Sequence, residues 1–297
     1  MFPIIPANSV AEEAGNDEGI FGFGYIAPVT GVTNLVSNTG VVASDVAAVG
    51  TARNYLAACS YGGDKGIFGF GHSGSTQEAM TNLVSNAGVV ATDTTGVGTA
   101  RYDLAACSFG DDKGIFGFGE PGPTAVTNLV SNAGVVATDT TGVGTARRGL
   151  RACSYGGDKG IFGYGDGPVS MTNLVSNAGV VATDTTGVGT ARTGLAACSY
   201  GGDKGIFGFG QTASYVSITN LVSNAGVVAS DQAATTGTAR AYLAACEYGG
   251  DKGIFGFGLN PSVTAVTNLV SNAGVVASDQ AATTGTARYA PAACSFN

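Results

Sequence analysis

The chain has 297 residues, of which 44% are hydrophobic and only 11% are charged, and its formal net charge is −8. So few charges exclude charge-driven disorder, and the net acidity disfavours broad binding to nucleic acid or to an acidic membrane, since both need a basic surface. No run approaches the ~18 apolar residues of a membrane-spanning helix, so we expect no membrane insertion.

The N-terminal stretch carries Glu12 and Glu13 but no basic segment, so it does not look like a secretory signal peptide. We predict an N-terminal extension over residues 1–15 and one repeat domain over residues 16–297. The repeat is marked by the core Gly-Ile-Phe-Gly, which recurs every 45 to 48 residues. A fixed period of this size indicates a repeat architecture whose units depend on their neighbours. The six copies begin at Gly19, Gly66, Gly114, Gly160, Gly205 and Gly253.

Each repeat contains four short runs rich in β-branched and aromatic residues, separated by turn residues. In one copy the runs are Thr99–Ser108, Lys113–Gly119, Thr127–Asn132 and Val135–Asp139. None shows the apolar spacing of an amphipathic helix, so all four are predicted to be strands. Four strands in about 47 residues is the size of one propeller blade.

Alternation along the second run predicts which side chains share a face. In Ile115-Phe116-Gly117-Phe118 it places Phe116 and Phe118 on one face. On the other face, Gly117 leaves room for a neighbouring sheet.

The two ends of the repeat domain are out of phase with the repeat. The domain begins within a second strand, at Asn16–Gly19, and ends with a first strand, Ala292–Asn297. We therefore predict an all-β, six-bladed β-propeller with four antiparallel strands per blade, in which the C-terminal strand closes the first blade. An open solenoid is the alternative, but it would gain nothing from this offset.

The order of these features resembles the kelch repeat over nearly the whole chain, on Arg101, the run Leu104–Cys107 and the glycine-ended strand Gly114–Gly119. Two differences stand out: the usual double glycine is Gly-Phe-Gly, and the chain has no Trp. Such a resemblance implies a propeller and a role as an intracellular protein–protein interaction scaffold.

The phrase G-T-A-R-Y-x-L-A-A-C-S-Y-G-x-D-K-G-I-F-G-F-G is also similar to repeats in structural or tail-appendage proteins of marine bacteriophages. That similarity implies a non-enzymatic virion or tail protein, an adhesin or decoration protein, located in the particle or outside the cell after lysis. Its partners would be other virion or assembly proteins and a host surface receptor or glycan. A cytoplasmic scaffold and a glycan-binding lectin remain alternatives.

Comparison of the six copies locates two variable segments. One follows the second strand, as in His72–Met80, and the other is the residue pair after the repeated arginine, as in Asn54-Tyr55. Strands one and two are antiparallel, so both segments are predicted at one face. Such loops often carry recognition, and the alternative is that their variation is merely tolerated. The candidate binding residues are Tyr25, Tyr55, His72, Tyr102, Arg148, Tyr215, Tyr242 and Tyr289. The near-invariant turns would share the opposite face, which could dock on a six-fold or three-fold assembly.

Six arginines recur, each preceded by an aspartate eight or nine residues earlier. We interpret them as structural, each tying down a loop or pairing with a carboxylate, with an anion-binding ring as the alternative. They are Arg53, Arg101, Arg147, Arg192, Arg240 and Arg288, preceded by Asp45, Asp93, Asp139, Asp184, Asp231 and Asp279.

Neither a metal site nor an enzyme is predicted. One cysteine per repeat indicates buried, reduced thiols, because equivalent ring positions lie too far apart for disulfides. The single histidine, His72, cannot build a multi-histidine centre, and no calcium loop or nucleophile elbow occurs. A thiolate ring and an aspartate ring binding calcium are the weaker alternatives. We expect no cofactor.

Overall fold

The structure is a computed structural model that describes residues 17–233, 237–281, 283 and 285–296. The proposed extension over residues 1–15 lies outside these. All regular structure in the described residues is β, in six three-stranded antiparallel sheets. None of them forms a helix long and apolar enough to cross a membrane.

The strands are β1 (Glu18–Tyr25), β2 (Val29–Val36), β3 (Ala57–Tyr61), β4 (Lys65–Gly69), β5 (Thr81–Val84), β6 (Ala105–Phe109), β7 (Lys113–Gly119), β8 (Thr124–Val130), β9 (Arg151–Tyr155), β10 (Lys159–Gly165), β11 (Val169–Val175), β12 (Ala196–Tyr200), β13 (Lys204–Gly208), β14 (Thr219–Val222), β15 (Ala244–Tyr248), β16 (Lys252–Gly256), β17 (Thr267–Val270) and β18 (Ala292–Phe296).

Sheet 1 is built from both ends of the repeat domain, in the order β18-β1-β2, whereas sheets 2 to 6 each take three consecutive strands. The β18–β1 pairing runs from Glu18 opposite Phe296 to Gly22 opposite Ala292. The prediction that the C-terminal strand completes the first sheet is therefore confirmed.

Among the described residues, none of the six sheets has the predicted fourth strand. Near Val135–Asp139, the chain pairs with β8 at two isolated bridges, Val130 to Val136 and Thr127 to Thr140, and not as a continuous strand. The carbonyl of Ala137 accepts a bond from the Asn128 side chain at 3.0 Å. A side-chain amide thus takes an acceptor that a continued strand would use, and the described sheets end at three strands.

The first strands of the six sheets contact one another in a circle, β3-β6-β9-β12-β15-β18 and back to β3. Sheet 6 therefore meets sheet 1 as the other sheets meet their neighbours. These strands surround a cavity that residues from all six sheets line. The hydrophobic clusters lie between adjacent sheets, each combining side chains from two of them.

The two glycines of Gly-Ile-Phe-Gly provide the space between sheets. A Cβ on Gly114 would lie 2.5 Å from the Cys59 sulfur of sheet 2, and one on Gly117 would lie 2.9 Å from the Phe162 ring of sheet 4. The first glycine thus accepts a thiol from the preceding sheet, and the second accepts a ring from the following sheet. The same arrangement joins sheet 6 to sheet 1, through Gly19 with Cys246 and Gly256 with Phe21.

The prediction that Phe116 and Phe118 share a face is wrong. Phe118 has a φ of 65°, and the pairing of β7 with β8 shifts between Gly117 and Gly119. This bulge turns Phe118 toward sheet 4, where its ring lies 5.2 Å from that of Phe162, while Phe116 packs against sheet 2. Bulges that re-aim a side chain in this way break the simple alternation.

The glycine–cysteine contact predicts a rescue experiment. Gly66→Ala should lower the free energy of unfolding by ~2 kcal/mol, because its Cβ would lie 2.5 Å from the Cys294 sulfur. Adding Cys294→Ala should recover most of that loss, since it removes the clashing atom. Urea unfolding of both single variants and the double variant measures the coupling. Purely additive losses would contradict the contact.

Candidate functional site

The two variable segments of each repeat lie side by side at one end of the sheets, which we call the variable end. Asn54 forms a bridge with His72, and Tyr102 forms one with Glu120. The amide of Asp166 donates to the carbonyl of Arg148 at 2.8 Å. Each bridge joins the residues after a repeated arginine to the loop that follows the second strand.

Backbone hydrogen bonds link the repeats at the variable end. The second residue of each pair has a left-handed φ, between 51° and 66°. The backbone amide of Asp103 donates to the carbonyl of Tyr55 at 2.8 Å. In the same way, the amide of Tyr55 donates to the carbonyl of Ala290 at 3.1 Å, and the amide of Ala290 donates to the carbonyl of Tyr242 at 2.7 Å. The same pattern joins Gly149 to Asp103 and Tyr242 to Gly194. This backbone fixes the positions of the side chains that it carries.

Five tyrosines and the histidine form a connected aromatic cluster on this backbone. The rings of Tyr55, Tyr242 and Tyr289 lie 6.0 to 6.2 Å from one another. Tyr25 joins through Tyr289 at 5.3 Å, and Tyr102 joins through Tyr55 at 6.3 Å. His72 contacts Tyr102 at 5.3 Å. All six side chains are partly exposed, so the cluster offers aromatic surface and hydroxyl groups to a ligand.

Fixed charges come from sheets 3 and 4 at the same end. Arg148 donates to Glu120 at 2.6 Å and to Asp166 at 2.8 Å, and the bond to Asp166 raises the pKa of Arg148. Asp103 lies 3.7 Å from Arg151. Burial raises the pKa of the Asp103 carboxyl, although Arg151 and Arg148 oppose the rise. Its buried Oδ1 has no hydrogen-bond partner among the described residues.

The structure brings six of the eight candidate residues into ring contact, and it places Arg148 in the neighbouring charged group. Tyr215 lies in its own loop, bridged to Gln211, and makes no ring contact within the described part of the chain. Sequence reasoning missed Asp103, Glu120, Asp166 and Arg151. Asp103 and Arg151 could have been found, because both replace uncharged residues of the other repeats.

The six repeated arginines are buried, away from the variable surface. Arg101 donates from Nε to the Phe118 carbonyl at 2.9 Å and from Nη2 to Asn128 at 2.6 Å. Its guanidinium lies 4.2 Å from the centre of the Phe70 ring, which belongs to the preceding sheet. Burial lowers the pKa of Arg101 to about 10, so it stays protonated at neutral pH.

Each arginine shares its asparagine with an aspartate, but not with the one that precedes it in the sequence. Arg53 lies 3.8 Å from Asp93, 40 residues later, and not beside Asp45. Asp93 accepts bonds from Asn82 and from the Thr51 hydroxyl. The same contacts join the C-terminal residues to sheet 1: Arg288 donates to Asn34, and the Thr286 hydroxyl donates to Asp45.

The cysteines are free thiols buried between the sheets, and burial raises the pKa of Cys59 to about 12. Such thiols are unreactive at neutral pH. Within the described ranges, no group of three or more His, Cys, Asp or Glu side chains is arranged to hold a metal ion.

The opposite end, which we call the repeated end, carries the near-invariant turns. Turn amides donate to carbonyls of the next turn, as from Gly62 to Asp112 at 2.7 Å. One valine per repeat lies there with 64 to 65% of its surface exposed to solvent. They are Val41, Val89, Val135, Val180, Val227 and Val275.

Comparison with known proteins adds no identity: no family model matches the chain, and no curated protein matches it.

The arginine–aspartate network predicts acid sensitivity. Partial burial acts to raise the pKa of Asp93, but hydrogen bonds from Thr51 and Asn82 outweigh it, so the pKa is lowered. A carboxylate with a lowered folded-state pKa stabilises above its unfolded value of ~3.9, and that stability is lost as the pH falls through the folded value. We expect the free energy of unfolding to fall steeply below pH ~4.

The matched variant is Asp93→Asn. It should cost ~1–2 kcal/mol at pH 7, because uncharged acceptors form weaker hydrogen bonds, and it should unfold with a shallower acid dependence. Urea unfolding between pH 7 and pH 2.5 measures both quantities. Identical acid dependence in the variant and the wild type would show that Asp93 is not among the groups responsible.

Proposed function

We propose that the chain is a closed six-bladed β-propeller that serves as a non-enzymatic recognition module and binds its partner through the variable end. The observation that supports the proposal is that the differences between the repeats are concentrated at one end of the sheets. An aromatic cluster and a set of fixed charges lie at one end, while the turns at the other end scarcely change.

Closure of the propeller is supported by contacts between sheets 6 and 1. Phe21 packs into the space at Gly256, and the Arg288 guanidinium lies 4.0 Å from the centre of the Phe257 ring. Both contacts repeat those between consecutive sheets. A closed scaffold would hold the variable loops rigidly, which limits the entropy lost on binding.

The composition of the variable end favours binding over catalysis. Tyrosine provides large amphipathic contact area at a low cost in side-chain entropy and is frequent where binding energy is concentrated. The charged side chains of Arg148, Glu120 and Asp166 already bond to one another. No described nucleophile lies beside a general base there, and His72 Nδ1 accepts a bond from the Gly74 amide.

The setting we propose is a phage particle, following the resemblance of the repeats. There the exposed valines of the repeated end would face other virion proteins, and the variable end would face the host surface. A kelch-type scaffold would use the same surface for an intracellular protein, and a lectin would use it for a glycan. These alternatives differ in the partner and not in the binding end.

Paired variants test which end binds. Tyr102→Ala with Tyr289→Ala should reduce adsorption to host cells, or binding on a glycan array, by at least ~10-fold, because tyrosines of this kind often contribute ~2 kcal/mol each. The matched control, Val135→Ser with Val180→Ser, changes two exposed residues of the repeated end and should bind as the wild type does. Circular dichroism checks that both fold.

Binding lost in the valine variant but kept in the tyrosine variant would contradict the proposal. Assays with generic ester and sialoside substrates should show no turnover. Turnover that Arg148→Ala abolishes would contradict the non-enzymatic assignment.

A further inference from the structure

The axial cavity is a second place where the repeats differ. It has a volume of about 810 Å³ and is lined by the first strands and by turns of the repeated end, where it opens. Its wall has a ring of alanine methyl groups, one from each sheet, next to a ring of serines. The alanines are Ala58, Ala106, Ala152, Ala197, Ala245 and Ala293.

The serine hydroxyls are bonded to neighbouring strands. Ser108 donates to the Ser60 carbonyl at 3.0 Å, Ser154 to Ser108 at 3.1 Å, and Ser199 to Ser154 at 3.3 Å. Each of these hydroxyl protons is already in a hydrogen bond to the neighbouring strand. The hydroxyl oxygens of Ser108, Ser154 and Ser199 can therefore accept hydrogen bonds from a molecule in the cavity. A lining of this kind suits a ligand that brings its own donors.

Glu247 occupies the serine position of sheet 6 and also lines the cavity. Among the described residues, its hydrogen bonds are those of its backbone: the amide donates to Ser295 Oγ, and the carbonyl accepts from the same hydroxyl. The residue is partly exposed, and it lies among the residues that line the cavity. Replacement of serine also removes a hydroxyl, so the Ser199 carbonyl lacks the serine donor that its counterparts receive. The result is an acceptor site with one additional carboxyl group.

A second extra carboxylate lies at the mouth. Asp111 takes the place of a glycine found in four other turns, and it does so with a φ of 67°, a conformation that costs a residue other than glycine ~1 kcal/mol or more. Its sheet, sheet 3, is separated from sheet 6 by two sheets in either direction around the circle. Both departures from the repeat therefore add a carboxyl group to one cavity, from opposite sides.

The geometry points to the axial cavity as a binding site for a linear aliphatic diammonium ion, with one primary ammonium on Glu247 and the other near Asp111 at the mouth. The alkyl chain would cross the cavity between the two carboxyl groups. An ammonium brings three N–H donors, which matches the Glu247 carboxylate, the Ser199 carbonyl and a serine oxygen. The cavity volume falls within the range of small-molecule sites.

Protonation of Glu247 is linked to this site. Burial raises the pKa of Glu247 to about 8, and Asp251 adds to the rise. The other titratable neighbours are the thiols of Cys198 and Cys246, whose own pKa values burial raises. The carboxyl is therefore mostly protonated at pH 7 in the free protein. When the ammonium binds, that proton leaves for solvent, so affinity should rise between pH 6.5 and pH 8.5.

Isothermal titration calorimetry of the full chain, in amine-free buffer at pH 8.5, tests the site with 1,5-diaminopentane. Glu247→Gln keeps the size of the side chain, and Glu247→Ser restores the residue of the other five repeats. We expect the wild type to bind, both Glu247 variants to lose at least ~10-fold in affinity, and Asp111→Gly to lose ~3-fold. 1,5-Pentanediol, which has no charge, should not bind.

Absence of binding by the wild type up to 10 mM diamine would overturn the proposal, and so would equal binding by Glu247→Gln or by the diol. Equal binding by Asp111→Gly would overturn the contact at the mouth. The readout does not involve the variable end, so the Tyr102 and Tyr289 variants should bind the diamine as the wild type does.

Discussion

The fold depends on one aromatic contact that recurs at each boundary between sheets. The bulged ring at the end of a second strand packs against the first phenylalanine of the next sheet and under its arginine. At one boundary the Phe70 ring lies 5.2 Å from the Phe116 ring and 4.2 Å from the Arg101 guanidinium. The arginine is almost fully buried, and its charge is accommodated because carbonyl, amide and aromatic groups surround it.

This contact also explains the residues around it. The ring reaches the next sheet because the backbone at Phe70 has a φ of 63°, and the glycine that follows, Gly71, has a φ of 105°. Asn82 then holds the Arg53 guanidinium on one side and Asp93 on the other. Sheets joined by such directional contacts keep a fixed angle, whereas purely apolar layers could slide.

The sequence was enough to predict the repeat period, the strand positions and the pairing of the two chain ends. Each of these follows from the local composition and from where the chain starts and stops within the repeat. The face of Phe118 was not, since a bulge breaks the alternation without changing the residues. The partner of each arginine was not either. Asp45 lies eight residues before Arg53, yet the fold pairs Arg53 with Asp93 of its own sheet. The fourth strand failed for a similar reason, because the Asn128 side chain competes for its carbonyl.

A repeat protein offers a measure of function that single domains lack, since each copy is a reference for the others. Contacts that hold sheets together are needed six times, and the buried arginines and the glycine spaces accordingly occur in six copies. A ligand on the axis meets all six sheets at once and needs a given group only once. Single departures such as Asp103, Arg151 and Glu247 therefore carry more functional information than any repeated residue. Two of them lie at the variable end and one lines the axial cavity, so these departures fall on the two surfaces for which we propose binding.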